Sequence, residues 1–360
     1  MIGKICLFTE ELHPPFDEGY KNFTYHLFRQ AAETCEVLRL GCGDPGVIDV
    51  QVHADKLLLS GDIRRAIRAF RPDAVIYVPI ASATSASFIR ARILRRYARG
   101  APVAMIGLQP REYPRLLRPV LRAIAPSTIY VQAEVSRRTL EAMGINAGTI
   151  QAGVDSEKFR PVAPSEKDRL REKYGIAPES FVALHVGHIS ERRNLRVMAD
   201  AGSIPGVRSV VVGSTSTPQD AGLAQWLREN GVLVLDVYIE GIEELYQLSD
   251  VYVFPVIEST AAIELPLSVL EAMACNLPVV ATRFGGLADH FAEGEGLYLA
   301  DDSEQLIEKL RLARQSPEVS TRAMVAPYTW QAVVEKLFCE MERLRSADHR
   351  DHDGIGSSHR

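Results

Sequence analysis

Glu271 is the residue that calls for chemistry first. It is an acid set beside Val269, Leu270, Met273 and Ala274, whose spacing of 3 and 4 marks the buried face of a helix. It lies too far into that helix to be only a partner of the helix dipole. Pro266 falls at the predicted first helical position, where its ring presets φ and its missing N–H is one that a helix start leaves unpaired anyway. Pro266, Leu267 and Ser268 thus form a helix N-terminus, and the unpaired N–H groups of such a terminus point at an anion. An acid one turn further in is placed to hold a pair of hydroxyls, as on a ribose. Asn276 can end the helix in a left-handed turn, and LPVVA then reads as a short buried strand of the parallel kind. The competing reading of Glu271 is a satisfied buried carboxylate that holds a loop.

The stretch LPLSVLEAMACNLPVVAT resembles the family 4 glycosyltransferases of the GT-B fold. Their pattern is an acid, a short loop and then LLEAMA-x-G-x-PVVA. The match falls on Glu271, Ala272, Met273, Ala274, Pro278, Val279 and Val280. The family's first acid, eight positions before the second, is here Ile263. Glu264 is one step away and Glu258 lies five further back, and either is a candidate substitute. Gly153 to Pro161 is similar to the family's N-G-V-D-x-x-x-F-x-P, with Ala152 where Asn is usual.

The resemblance extends to the loop GHISERRN, where the family reads G-R-L-x-x-E-K-G and its Arg and Lys bind the donor diphosphate. His188 and Arg193 stand in register, with Arg192 in place of the Glu. A cation after a strand end, facing a helix N-terminus, suits two negative phosphates. Arg193 keeps its charge and can bind bidentately. His188 is mostly neutral at pH 7 unless an anion raises its pKa. Spacing alone fits a solvated basic loop equally well.

In PPFDEGYKN, Gly19 stands where the family carries a glycine-rich loop, and would let backbone approach a sugar or phosphate closely. Lys21 is a further phosphate contact, and an ordinary turn is the alternative. The family's first-domain His has no counterpart, since no His occurs between His53 and His185; the equivalent places are Leu108 and Gln109. This departure and that at Ile263 both fall on the sugar side of the site.

The elements that must position these residues alternate. KICLFTE, CEVLRL, DAVIYVP, APVAMIG, STIYVQA and GTIQAG read as strands with helices between them. A second series follows: FVALHVG, SVVVG, VLVLD, VYVFP and PVVAT, with a helix from Pro218 to Arg228 started by Thr217-Pro218 and Asp220. Repeated strand–helix units imply α/β architecture with doubly wound parallel sheets and a ligand crevice at the strands' carboxyl ends. The resemblance implies GT-B organisation: two Rossmann-like domains, an acceptor domain over 1–157 and a nucleotide-sugar donor domain over 158–325. A helix over 326–346 would return to the first domain, and a polar tail over 347–360 is expected to be disordered.

At 360 residues the chain can bury two cores, and 46% hydrophobic with 24% charged residues is ordinary globular composition. Five scattered cysteines argue for free thiols in a reducing compartment. MIGKICLFTE is too short and too quickly charged for a signal peptide, so a cytoplasmic location is expected. From Arg90 to Arg138 there are eleven arginines, no lysine and two acids, a net of +9 in a chain whose net is −5. Arg111, Arg115, Arg118 and Arg122 recur at 4, 3 and 4, although Pro114 and Pro119 forbid one straight helix there. Such a face suits peripheral contact with a membrane, or a lipid-linked or anionic acceptor; solvated outer helices are the other reading. No nucleic-acid signature accompanies the charge. The tail's DHRDHD holds an Asp-x-Asp and two His, read as adventitious, so no metal and no cofactor beyond the nucleotide-sugar substrate is expected.

The resemblance therefore implies a retaining glycosyltransferase that moves a sugar from a nucleotide diphospho-sugar to an unidentified acceptor, whether a glycan, a lipid-linked molecule or a small molecule. Arg193 and His188 would neutralise the leaving diphosphate, Glu271 would hold the ribose, and Glu264 is the catalytic candidate. The rival readings are a non-catalytic nucleotide-sugar binder derived from such an enzyme, and another GT-B chemistry such as epimerisation.

Overall fold

The structure is a computed structural model that describes residues 2–52, 60–216, 218–315 and 318–353. The chain divides into two compact units. One comprises Met1–Pro14, Tyr20–Gln151 and Trp330–Arg360; the other comprises Pro15–Gly19 and Ala152–Thr329.

The first unit follows the expected alternation: β1 (Lys4–Leu12), α1 (Gly19–Ala32), β2 (Glu36–Gly43), β3 (Val50–Gln51), α2 (Gly61–Phe70), β4 (Ala74–Tyr77) and α3 (Ser85–Tyr97). It continues with β5 (Val103–Ile106), α4 (Arg118–Ile124), β6 (Thr128–Val131), α5 (Glu134–Glu141) and β7 (Ala147–Thr149). The strands form one parallel sheet in the order β3-β2-β1-β4-β5-β6-β7. β4, β5 and β6 are buried along their whole length, as strands covered on both faces must be. The order reverses between β1 and β4, so this sheet's crevice opens there.

The second unit contains α6 (Pro164–Lys173), β8 (Phe181–Val186), α7 (Val197–Gly202), β9 (Val207–Val212), α8 (Ala221–Glu229), β10 (Leu233–Leu235) and α9 (Ile242–Leu248). After these come β11 (Val251–Phe254), α10 (Leu267–Ala274), β12 (Val279–Thr282), α11 (Leu287–His290), β13 (Leu297–Ala300), α12 (Ser303–Gln315) and α13 (Thr321–Val325). Its parallel sheet has the order β10-β9-β8-β11-β12-β13, with the reversal between β8 and β11. The expected pair of doubly wound α/β sheets is thus present. β3 and β13 were not among the strands read from the sequence.

Several details differ from expectation. The cap of α8 is Asp220, whose Oδ1 accepts from Leu223 N at 3.0 Å; Thr217 lies outside the described residues. Pro266 is the N-cap of α10, with an extended ψ of 123°, and Leu267 is its first helical residue. The ring fixes φ but leaves ψ open, so it serves either position. The last helix, α14 (Trp330–Asp353), runs past the expected end at 346. No Gly or Pro interrupts the sequence before Gly354, so nothing breaks the helix where the composition turns polar. Within the first unit α14 is held by Trp330, which stacks on His26 and meets Phe23 edge-on. Glu342 accepts from Ile2 N at 2.8 Å and Arg345 pairs with Asp73 at 2.9 Å.

Candidate active site

In the second unit the chain leaves β8 through Gly187 and turns back at once. Ser190 caps a single 3-10 turn, Glu191–Arg193, by accepting from Arg192 N, and Asn194 closes it at φ 56°. The turn lays the Arg193 guanidinium over Gly187. A Cβ on Gly187 would stand 2.2 Å from Arg193 Nη1, so only glycine lets the cation lie there. Arg193 Nε donates to the Ala261 carbonyl at 3.1 Å. Among the described residues no carboxylate lies within ion-pair distance of it. Burial weighs against its charge, which nearby Tyr252 and Glu18 support.

Two histidines flank this cation and both are neutral. His185 is fully buried between Tyr252 and Phe254, and its Nδ1 bonds the Val253 carbonyl at 2.9 Å. Burial, with Arg193 adding to it, pushes its pKa down to about 3. His188 is half-buried, and the same two causes lower its pKa. The expected second charge for a diphosphate is therefore a neutral imidazole, able to donate or accept one hydrogen bond. Arg192, by contrast, points away into an ion pair with Glu258 and a hydrogen bond to Thr260. This exposed pairing removes Glu258 as a substitute for the acid missing at Ile263.

Across the sheet reversal, β11 leads into α10. No side chain caps α10, so the N–H groups of its first turn, at Leu267 and Ser268, keep their donor capacity. Its other end closes as anticipated. Asn276 takes φ 56°, Asn276 N donates to Met273 O at 2.9 Å, and Leu277 N to Ala272 O at 3.1 Å, which is a Schellman turn. Glu271 is partly buried, and its Oε2 accepts from the Tyr246 hydroxyl at 2.7 Å. Burial raises its pKa, and the bond from Tyr246 opposes that only in part.

On the sugar side, Ile263 and Glu264 are 5% and 1% exposed. Ile263 packs on Gly19, with its Cδ1 and Cγ1 each 3.2 Å from where a Cβ on Gly19 would stand. Gly19 thus does provide close approach, but to an aliphatic side chain. The Glu264 carbonyl accepts from Gly286 N at 2.8 Å. Gly285 is indispensable there, since its Cβ would lie 2.2 Å from that same oxygen.

In the first unit, Leu108 is buried, and Gln109 is pinned by Ser82. The Ser82 hydroxyl donates to Gln109 O at 2.7 Å while Gln109 N donates to Ser82 Oγ at 3.1 Å. Ser82 adopts φ 58°, a left-handed conformation uncommon for a non-glycine residue. Glu10, at the carboxyl end of β1, accepts from Arg90 at 2.7 Å, from Ile80 N at 3.1 Å and from the Tyr77 hydroxyl. The basic stretch splits by partner. Arg90 and Arg137 are ion-paired. Arg111, Arg115, Arg118 and Arg122 have no acidic partner among the described residues. They accompany Leu116, Leu117 and Val120, which are 91%, 43% and 55% exposed. The prolines break the segment into a 3-10 turn, Arg115–Leu117, followed by α4.

Sequence reasoning missed Tyr246, Tyr252, His185 and Asp17. Nothing marks the two tyrosines or the histidine as other than core residues. Asp17 is different, being an acid two positions before the singled-out Gly19.

Comparison with known proteins bears on the same regions. Residues 180–315 match the family model for glycosyl transferases group 1. The putative glycosyltransferase EpsD of Bacillus subtilis is 30% identical over 46% of this chain and 45% of its own length. The sulfoquinovosyl transferase SQD2 of Arabidopsis thaliana is 28% identical over 93% of this chain and 72% of its own. The chain thus aligns with less than half the length of EpsD. Anabaena HepE, crystallised with UDP, superposes with a TM-score of 0.70 at 16% identity, over 98% of this chain and 100% of that one. With two doubly wound parallel sheets and a match to that family model over residues 180–315, the chain has the GT-B fold and resembles the group 1 glycosyl transferases in its second unit.

Proposed function

We propose that this protein transfers a sugar from a nucleotide diphospho-sugar to an acceptor with retention of configuration. The observation that carries the reading is Arg193: a part-buried guanidinium with no ion pair among the described residues, at the sheet reversal where ligands of such folds bind. The bond between the anomeric carbon and the diphosphate breaks, the acceptor hydroxyl's oxygen bonds that carbon on the same face, and its proton passes to the departing diphosphate oxygen. The charge left on the diphosphate is met by Arg193 and by the open N-terminus of α10 at Leu267 and Ser268. His188 contributes a hydrogen bond, and Glu271 holds the ribose hydroxyls. No metal enters this scheme, so a chelator should leave turnover unchanged. UDP bound to HepE and the sugar transferred by SQD2 support a nucleotide-sugar donor. Hydrolysis and transfer screened across UDP-, GDP- and ADP-sugars test the reading, with the product anomer read by NMR. Binding of a nucleoside diphosphate without any turnover would favour the non-catalytic alternative, and inversion would overturn the stereochemistry.

The acceptor is proposed to be lipid-linked or anionic and reached at a membrane surface. Exposed Leu116, Leu117 and Val120, accompanied by arginines without acidic partners among the described residues, are what an anionic interface takes up. No described helix is long and apolar enough to cross a membrane. Sedimentation with anionic vesicles should be strong at low salt and fade as salt screens it. It should weaken in Arg115→Glu/Arg118→Glu and in Leu116→Asp. Absence of binding at low ionic strength would return this face to solvent.

A further inference from the structure

The loop joining β1 to α1 carries a carboxylate that the reading above leaves unused. Pro15–Gly19 belongs to the second unit, although β1 and the rest of α1 belong to the first. Asp17 accounts for that placement. Its Oδ2 accepts from the Thr215 backbone N–H at 2.6 Å and from Thr215 Oγ1 at 2.8 Å. Its Oδ1 accepts from Ser214 Oγ at 3.1 Å and from Ser216 Oγ. Ser216 has one proton, and it shares this between Asp17 and the Pro15 carbonyl at 2.7 Å. Three hydroxyls and one N–H from the turn after β9 thus form a cup that holds an anion without a cation. Burial opposes the charge of Asp17, yet the bonds from Ser216, Thr215 and Ser214 hold its carboxyl below the usual range.

The two residues after Asp17 stand in the proposed donor site. Glu18 lies close enough to Arg193 to favour its charge, and Gly19 lies against Ile263. Consecutive Cα atoms are about 3.8 Å apart, so the position of Asp17 limits where Glu18 and Gly19 can be.

We propose that Asp17 is a positioning residue for glycosyl transfer: by filling the Ser214–Ser216 cup it fixes Pro15–Gly19 within the second unit and holds Gly19 against Ile263, on the sugar side of the proposed site. This inference rests on the donor diphosphate lying at Arg193. It competes with a different role for the cup, in which the hydroxyls bind phosphate and Asp17 is a stand-in that ligand displaces.

The test uses the full chain with Asp17→Ala, Asp17→Asn and, from the other side of the contact, Thr215→Val. Affinity is measured by calorimetry for whichever of UDP, GDP and ADP binds wild type most tightly. Turnover is measured with the matching nucleotide-glucose, and amide exchange over residues 15–24. The expected result in Asp17→Ala is exchange at least tenfold faster in that segment. The kcat/KM should fall at least tenfold, chiefly through kcat, with diphosphate affinity within threefold of wild type. Asp17→Asn and Thr215→Val, each keeping part of the contact, should fall between. Tighter diphosphate binding in Asp17→Ala would identify the cup as a phosphate subsite and overturn the proposal. Unchanged exchange and turnover would overturn it while leaving the donor site intact. If wild type binds none of the three diphosphates, the donor reading itself fails and this role falls with it.

Discussion

The Tyr246 hydroxyl donates to Glu271 Oε2 at 2.7 Å, in surroundings that already hold this carboxyl above its usual pKa through burial. The native state thus binds the Glu271 proton more tightly than the unfolded chain does. The associated stability is present at low pH and falls as pH rises from the unfolded value, about 4.3, through the folded one. At neutral pH an ionised Glu271 is a liability that ribose hydroxyls would offset. Glu271→Gln keeps an acceptor for Tyr246 and removes the charge. Without ligand the variant should melt no lower than wild type at pH 7.5. It should lose about 1.5–3 kcal/mol of nucleoside diphosphate affinity, the range for a hydrogen bond to a charged group. Scanning calorimetry with isothermal titration checks both. A lower melting temperature with unchanged affinity would make Glu271 a structural carboxylate.

Arg193 and Gly187 make a second pair whose roles separate. Arg193→Ala removes the cation and should cost diphosphate binding about 1.5–3 kcal/mol. Gly187→Ala keeps the cation but sets a Cβ 2.2 Å from Nη1, so the guanidinium must move. It should weaken binding in the same direction while the salt dependence of binding stays as in wild type. In Arg193→Ala that dependence should flatten. Titrations with UDP at two salt concentrations distinguish the variants. Wild-type affinity in Arg193→Ala, with the fold intact, would remove the residue from the site.

The buried imidazole of His185 makes a pH prediction. Its pKa is pushed from about 6.5 down to about 3, so the native state resists the proton that the unfolded chain accepts. Stability is complete above about 6.5 and declines as pH falls from there towards about 3. His185→Phe retains the ring between Tyr252 and Phe254 and should flatten this acid limb, at the expense of the bond to Val253. Urea midpoints between pH 7.5 and 4 provide the measure, and an equally steep limb in the variant would assign it to other groups.

How far the sequence carried these results depends on the kind of interaction. Local rules located Pro266 at the start of α10 and Asn276 in the left-handed turn that ends it, because propensity and tertiary structure agree there. Alternating buried runs disclosed both sheets. The further lowering of the His188 pKa was less legible, since desolvation and the nearness of Arg193 arise only when the loop folds back. The partners of Glu271 and Asp17 are separated from them by 25 and by about 200 positions, and no spacing rule reaches that far. Gly19 was recognised as a place of close approach, but what approaches it in the structure is the Ile263 side chain.

That contact bears on the last prediction, which concerns Glu264. The acid of the family pattern falls at Ile263, and Ile263 is committed to an aliphatic contact with Gly19. It cannot accept from sugar hydroxyls, and an unpaired buried hydroxyl costs about 1–3 kcal/mol. Glu258, the other neighbouring acid, is held outside by Arg192. Glu264 is the remaining acid in the segment, and it is buried. If its carboxylate takes over the sugar contact, Glu264→Gln should reduce kcat at least tenfold. Nucleoside diphosphate affinity should stay within threefold, because the lost interaction is to the sugar and not to the phosphates. Ile263→Glu would not restore the family arrangement, since it forces a charge against the Gly19 backbone. It should instead destabilise the fold, as an unpaired buried charge does. Parallel measurement of donor turnover, UDP affinity and melting temperature in both variants decides the matter. Equal loss of turnover and UDP affinity in Glu264→Gln would show that this residue supports the segment before α10 and leaves the sugar without a carboxylate partner.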